Sequence, residues 1–157
     1  MKRFLFPLLL TAASFCCGFG LKAMIDHPGK KPGKVNGIGG VFFKAKDPKK
    51  LTAWYKDNLG LATNPYGATF EWYEGYDSTR KAQTQWTPFP EKTDYFGPST
   101  KEFMINYRVG NLVLLAAELK KAGVTIVDTI ESFDYGKFLH IMDPEGNKVQ
   151  LWEAADQ

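Results

Sequence analysis

The strongest constraint on how this chain can fold is a strand–helix unit that occurs twice, sixty-four residues apart. In the first copy, Val41-Phe42-Phe43-Lys44-Ala45-Lys46-Asp47 alternates in the period-two manner of a strand, and Asp47-Pro48 then supplies an N-cap and a first-turn proline. The spacing predicts a helix with Leu51, Trp54, Tyr55 and Leu59 on its inner stripe and Gly60 as its stop. In the second copy Ile105, Tyr107 and Val109 stand at the places of Val41, Phe43 and Ala45, and Asn111 replaces Asp47 as the cap. Leu112, Leu115, Leu119 and Ala122 form the second inner stripe, ending at Gly123. Shorter extended runs follow each helix: around Ala62 to Tyr66, Thr69 to Tyr73 and Ala82 to Thr87, then Thr125 to Thr129, Lys137 to Met142 and Lys148 to Trp152. The pattern is βαβββ twice, an α+β chain with an internal repeat. Either half alone leaves a sheet face bare, so the two are expected to close around a shared concavity.

Two local motifs add to the repeat. The run from Asp47 to Leu61 reads Asp-Pro-Lys, then Tyr55, then Leu59-Gly60-Leu61, and the tail from Asp143 to Glu153 is a tight Asp-Pro-Glu-Gly-Asn turn feeding an alternating strand. Repeat, run and tail together resemble the vicinal oxygen chelate superfamily, which includes glyoxalase, bleomycin-resistance and extradiol dioxygenase proteins, over roughly residues 35 to 155. The resemblance implies one domain of two βαβββ modules with a concave mixed sheet, a binding site in that concavity, and a habit of forming dimers.

It also implies a test of the usual chemistry. Catalytic relatives hold a divalent ion with His or Glu, in some cases Gln, from the first and last strands of each module. The matching positions here are Gly40, Gln85, Met104 and Gln150. Gly40 offers no side chain, a thioether suits hard ions poorly, and two neutral amides do not replace an ion's hydration as carboxylates do. A metal centre of the family type is therefore not expected and no other cofactor is indicated, while a divalent metal held by atypical ligands at a displaced site stays open as the alternative.

Strand parity then assigns the inward side chains. Phe42 and Lys44, Asn106 and Arg108, and Gln150 and Trp152 are predicted to face the concavity, with Trp86 and His140 as further lining. Lys44 and Arg108 occupy nearly equivalent points of the repeat, which suggests either solvated rim charges or a two-cation clamp for a carboxylate or phosphate. His140 is one of only two histidines, the other being His27; it reads either as a hydrogen-bonded strand residue or as a pocket acid or base. Trp86, Phe89, Tyr95 and Phe96 cluster around a connection from Thr87 to Lys101 that carries Pro88, Pro90, Gly97 and Pro98. Its rings are candidates to lid the cavity.

The first 25 residues carry the charged start, Lys2-Arg3, and the apolar stretch of a secretory signal, and residues 26 to 34 read as a Pro/Gly/Lys tether containing His27. Export is expected, to a periplasmic, secreted or membrane-anchored location outside the cytoplasm, with the leader as the only membrane contact. Lipidation at Cys16 or Cys17 is an open alternative to simple cleavage. Both cysteines lie in this leader, so the domain itself has no thiol. From residue 31 onward 16 basic residues face 16 acidic ones, which removes any electrostatic reason to expect nucleic acid as a partner. Three readings compete: a metal-free binder of a small organic molecule, a lyase, isomerase or dioxygenase with atypical ligands, and a non-catalytic envelope interaction module. An open pocket favours the first two, and a side-chain-filled concavity favours the third.

Overall fold

The computed structural model describes residues 34–75, 77 and 79–155. The leader, the tether through residue 33, His27, Cys16 and Cys17 lie outside the described residues. Along the chain the elements are β1 (Val35–Ala45), α1 (Pro48–Leu59), β2 (Thr63–Asn64), β3 (Gly67–Tyr73), β4 (Lys81–Pro90), β5 (Phe103–Val109), α2 (Leu112–Lys121), β6 (Thr125–Ile126), β7 (Glu131–Phe133), β8 (Gly136–Met142) and β9 (Lys148–Ala154).

Local chemistry explains both helices. Asp47 caps α1 by accepting from Lys50 N at 3.0 Å, and Asn111 caps α2 by accepting from Leu114 N at 3.0 Å. Pro48 opens α1, and Gly60 closes it in the left-handed region at φ 67°. The inner stripe predicted for α1 is only half right. Trp54 and Leu59 are exposed, and the helix meets the sheet through Tyr55, whose ring lies 4.8 Å from that of Trp86.

Among the described residues nine strands form one sheet in the order β2-β3-β4-β1-β5-β9-β8-β6, with β7 added on β8. Each module closes with a parallel pair, β1 with β4 and β5 with β9, and the modules join through the antiparallel pair β1 and β5. The repeat therefore becomes a pseudo-twofold arrangement with β1 and β5 at its centre. β1 begins at Val35, earlier than the alternation from Val41 suggests, because Gly37, Gly39 and Gly40 are strand residues whose missing side chains make room for neighbours.

The two sheet faces carry different cores. On the helix side of the second module, Val109, Leu112, Leu139 and Leu151 are buried together, with Leu115, Leu119 and Val149 packed against them. On the concave side, Phe42, Phe96 and Met104 form a second cluster with Phe89 against it.

Candidate functional site

Three stretches follow one another along the concave face. At the end where β1 finishes and β5 starts, the connection from β4 to β5 folds inward and fills the concavity. Phe96 is 1% exposed and Met104 is 0% exposed, and the Phe89 ring stacks on Tyr95 at 5.2 Å. The connection is fastened to the β8–β9 turn, since Ser99 Oγ donates to the Gly146 carbonyl at 2.7 Å and Lys148 Nζ donates to the Tyr95 carbonyl at 2.8 Å. Phe42 is buried in this plug, so it lines packed interior rather than open space.

In the middle lies a polar chain. Asn106 Nδ2 donates to Gln150 Oε1 at 2.5 Å, and Gln150 Nε2 lies 2.6 Å from the Tyr95 hydroxyl and 2.9 Å from His140 Nε2. His140 Nδ1 is 2.6 Å from Asp128 Oδ2, and the His140 backbone N–H donates to the same carboxylate at 2.9 Å. This pattern assigns the Nδ1–H tautomer, with Nε2 accepting from Gln150. Burial lowers the His140 pKa from the ordinary histidine value despite the opposing bond to Asp128, and burial likewise raises the Tyr95 hydroxyl. Both ring nitrogens are engaged, which agrees with a hydrogen-bonded strand histidine. Asp128 was not foreseen as its partner: the predicted extended run to Thr129 breaks after Ile126, and the freed carboxylate turns onto β8.

The remaining stretch is open. Where β1 begins and β5 and β9 end, a cavity of about 570 Å³ is lined by Asn36, Glu74, Arg80, Arg108, Tyr135 and Trp152, among others. Glu74 is its electrostatic centre, accepting from Arg108 Nη2 at 3.2 Å and pairing with Arg80 Nη2 at 2.5 Å. Neither Glu74 nor Arg80 was anticipated from the sequence, because both lie in the β3–β4 turn, where no periodicity signals a site.

The pocket expected from strand parity is therefore redistributed. Arg108 and Trp152 do line the cavity, while Asn106, His140 and Gln150 are buried in the polar chain. Trp86 does not face the concavity. It pairs in register with Val41 and packs on Phe43 at 5.2 Å beneath α1, whereas its neighbour Gln85 pairs with Gly40 and turns to the concave side. Adjacent residues of one strand cannot share a face, so Gln85 and Trp86 were incompatible as joint lining. Nor can Lys44 and Arg108 clamp one ligand. β1 and β5 run antiparallel, so equivalent positions fall at opposite ends: Arg108 pairs with Gly37, seven residues from Lys44, or roughly 23 Å along a strand. Lys44 instead approaches Glu102 at 3.6 Å.

At the positions that the resemblance matches to a metal site, the side chains are packed or hydrogen-bonded within the chain. Met104 is sealed under Phe42 and Phe96, Gln85 Oε1 accepts from Thr69 Oγ1 at 2.9 Å, and both ends of the Gln150 amide are in use. A side chain at Gly40 would meet the Phe42 ring at 2.7 Å, and one at Gly39 would collide with Asn106 Oδ1. Among the described residues no group of three or more His, Cys, Asp or Glu side chains is placed to hold a metal ion.

No protein-family model and no curated protein matches the sequence. Solved structures do. Methylmalonyl-CoA epimerase from Mycobacterium tuberculosis is similar at 20% identity and a TM-score of 0.53, over 83% of this chain and 95% of that one. A Streptomyces coelicolor methylmalonyl-CoA epimerase variant in complex with 2-nitronate-propionyl-CoA gives 11% identity and a TM-score of 0.58, over 78% of this chain and 100% of that one. A glyoxalase/bleomycin resistance protein/dioxygenase superfamily member from Vibrio splendidus gives 14% identity and a TM-score of 0.49, over 74% and 97%. At such identities the likeness speaks for the fold alone. The chain has the α+β fold of the vicinal oxygen chelate superfamily, two βαβββ modules around one concave mixed sheet.

Proposed function

We propose that this protein is an exported, metal-free binder of a small organic molecule, with the ligand held at the open end of the concave sheet. The observation that carries the reading is the division of the concave face. The positions that the resemblance matches to a metal site, Gly40, Gln85, Met104 and Gln150, are packed or hydrogen-bonded internally, while a cavity of about 570 Å³ stands beside Arg108 and Trp152. That volume falls within the range of small-molecule sites, roughly 300 to 1,000 Å³. Export rests on the charged and apolar leader, and exclusion of nucleic acid on the neutral charge balance of the domain.

The enzyme reading has less support, because the Nε2 of His140, the atom a general base would use, already accepts from Gln150. The interaction-module reading draws on the filled half of the concavity and the exposed rings of Phe133 and Tyr135, stacked at 5.3 Å, and a homodimer would be its simplest form. Native mass spectrometry of protein purified from its own envelope separates these readings. A retained organic molecule without metal supports the binder, whereas a ligand-free dimer supports the interaction module.

A further inference from the structure

We propose that the open end of the concavity is a receptor for a planar organic monocarboxylate, and that Glu74 occupies this receptor from within the chain. The inference rests on the binder reading above and specifies its ligand class.

Three donors from three separate segments converge on the Glu74 carboxylate. Arg108 Nη2 and Asn36 Nδ2 meet Oε1 at 3.2 and 3.4 Å, and Arg80 Nη2 meets Oε2 at 2.5 Å. The Arg108 and Glu74 side chains are only 11% and 12% exposed, so this is a partly buried carboxylate site rather than a solvated surface ion pair. It is also imperfectly filled. Arg108 Nε is buried and has no hydrogen-bond partner among the described residues. A guanidinium edge presents Nε and Nη2 as a fork that matches the two oxygens of one carboxylate, and Glu74 takes a single prong. Because Nε is closed to solvent while Glu74 is in place, a ligand carboxylate takes both prongs only by taking the place of the Glu74 side chain, and it then satisfies the donor that the resident carboxylate leaves bare.

The surroundings set the rest of the ligand. The Arg108 guanidinium carbon lies 5.1 Å from the Trp152 ring centre and 5.9 Å from that of Trp72, and Tyr135 and Trp152 line the adjoining cavity. Trp152 is 5% exposed, stacked on Phe138 and approached by Arg108, so the flat apolar surface left for a ligand beside the fork is the exposed Tyr135 ring, which favours an aryl or similarly planar acid. Charge sets the valence: Arg80, Lys81 and Arg108 line the cavity together with Glu71, Glu74 and Asp134. A monoanion replacing Glu74 one for one preserves that balance, and a phosphate dianion does not. Glu74 lies just beyond the end of β3 with its backbone N–H donating to the Arg80 carbonyl at 2.9 Å, so displacement is a rotation of its side chain and leaves the turn backbone in place.

The test is calorimetric titration of the full chain with benzoate and 2-naphthoate, with benzamide as the neutral counterpart and inorganic phosphate as the non-planar anion. The proposal expects one aryl carboxylate per chain, with benzamide and phosphate weaker by about tenfold or more. Glu74→Gln, which removes the internal competitor, should tighten aryl carboxylate binding about fivefold. Arg108→Gln should weaken it by about tenfold or more. Melting curves establish that each variant is folded; if Arg108→Gln alone is not, the double variant with Glu74→Gln removes both buried charges and must still bind more weakly than Glu74→Gln. Equal binding of benzamide, unchanged affinity in Arg108→Gln, or weakened affinity in Glu74→Gln each overturns the proposal. Failure here is distinct from failure of the binder reading: a molecule retained by metal-free protein and indifferent to Arg108→Gln defeats only this inference. An ion bound at Gln150 defeats the metal-free reading and leaves the Glu74 result to stand by itself.

Discussion

Replacing Phe96 with alanine asks whether the β4–β5 connection truly plugs one end of the concavity. The ring is 1% exposed, sits 5.3 Å from Phe89 and shares its cluster with Phe42 and Met104. A buried aromatic side chain removes roughly 150 to 250 Å² from water, worth about 4 to 6 kcal/mol at ~25 cal/mol per Å² as an upper bound. Alanine keeps a small part of that, and the hole left behind collapses incompletely, so the expected loss is about 3 to 5 kcal/mol. Against a domain stability on the order of 5 to 15 kcal/mol this is large. With a urea slope of about 1.5 kcal/mol per M, the unfolding midpoint should fall by about 2 M or more. Equilibrium urea unfolding followed by tryptophan fluorescence measures it directly. A loss below about 1 kcal/mol would mean that Phe96 is not part of a packed core, and the division into a filled and an open end would fall with it.

Two further predictions concern the polar centre. Gly39→Ala should cost about 2 to 4 kcal/mol, because the new Cβ meets Trp152 Cε3 at 2.8 Å and collides with Asn106 Oδ1, displacing the donor to Gln150; an unchanged unfolding midpoint would refute this packing. For His140 the folded pKa lies below the ordinary value of 6.5, so the unfolded chain takes up the proton first. Its stabilising contribution is complete above about pH 6.5 and is lost as pH falls toward the folded value. Urea midpoints should drop between about pH 7.5 and pH 5, and His140→Gln should flatten part of that drop, whereas an equally steep drop in the variant would show that the histidine is not responsible.

What the sequence conveyed and what it did not separate along physical lines. Local signals survived intact: the caps at Asp47 and Asn111, the left-handed glycines at Gly60, Gly123 and Gly146, and the Asp143 turn, where one carboxylate oxygen accepts from both Glu145 N and Asn147 N. Period-two alternation within a strand also placed Met104, Asn106 and Arg108 together on the concave side, and Val109 and Leu151 in the core under α2. Relations between strands were harder to obtain. Register decides that Trp86 lies beside Val41 on the helix side, and the antiparallel sense of β1 and β5 decides that Lys44 and Arg108 are far apart. Neither is encoded in one strand's pattern. The partners of the polar groups, Asp128 for His140 and Glu74 for Arg108, come from bends and turns whose side-chain directions depend on tertiary folding.

Metal titration by native mass spectrometry, with zinc, nickel, iron and manganese added in turn to chelator-stripped full-length protein, asks outright whether the concave sheet can hold an ion. No stoichiometric adduct is expected for any of the four, and spectra of Gln150→Ala should be indistinguishable from the parent in metal content. A one-to-one ion that the parent retains and Gln150→Ala loses would contradict the metal-free reading, because the amide now committed to Asn106, Tyr95 and His140 would then be a ligand.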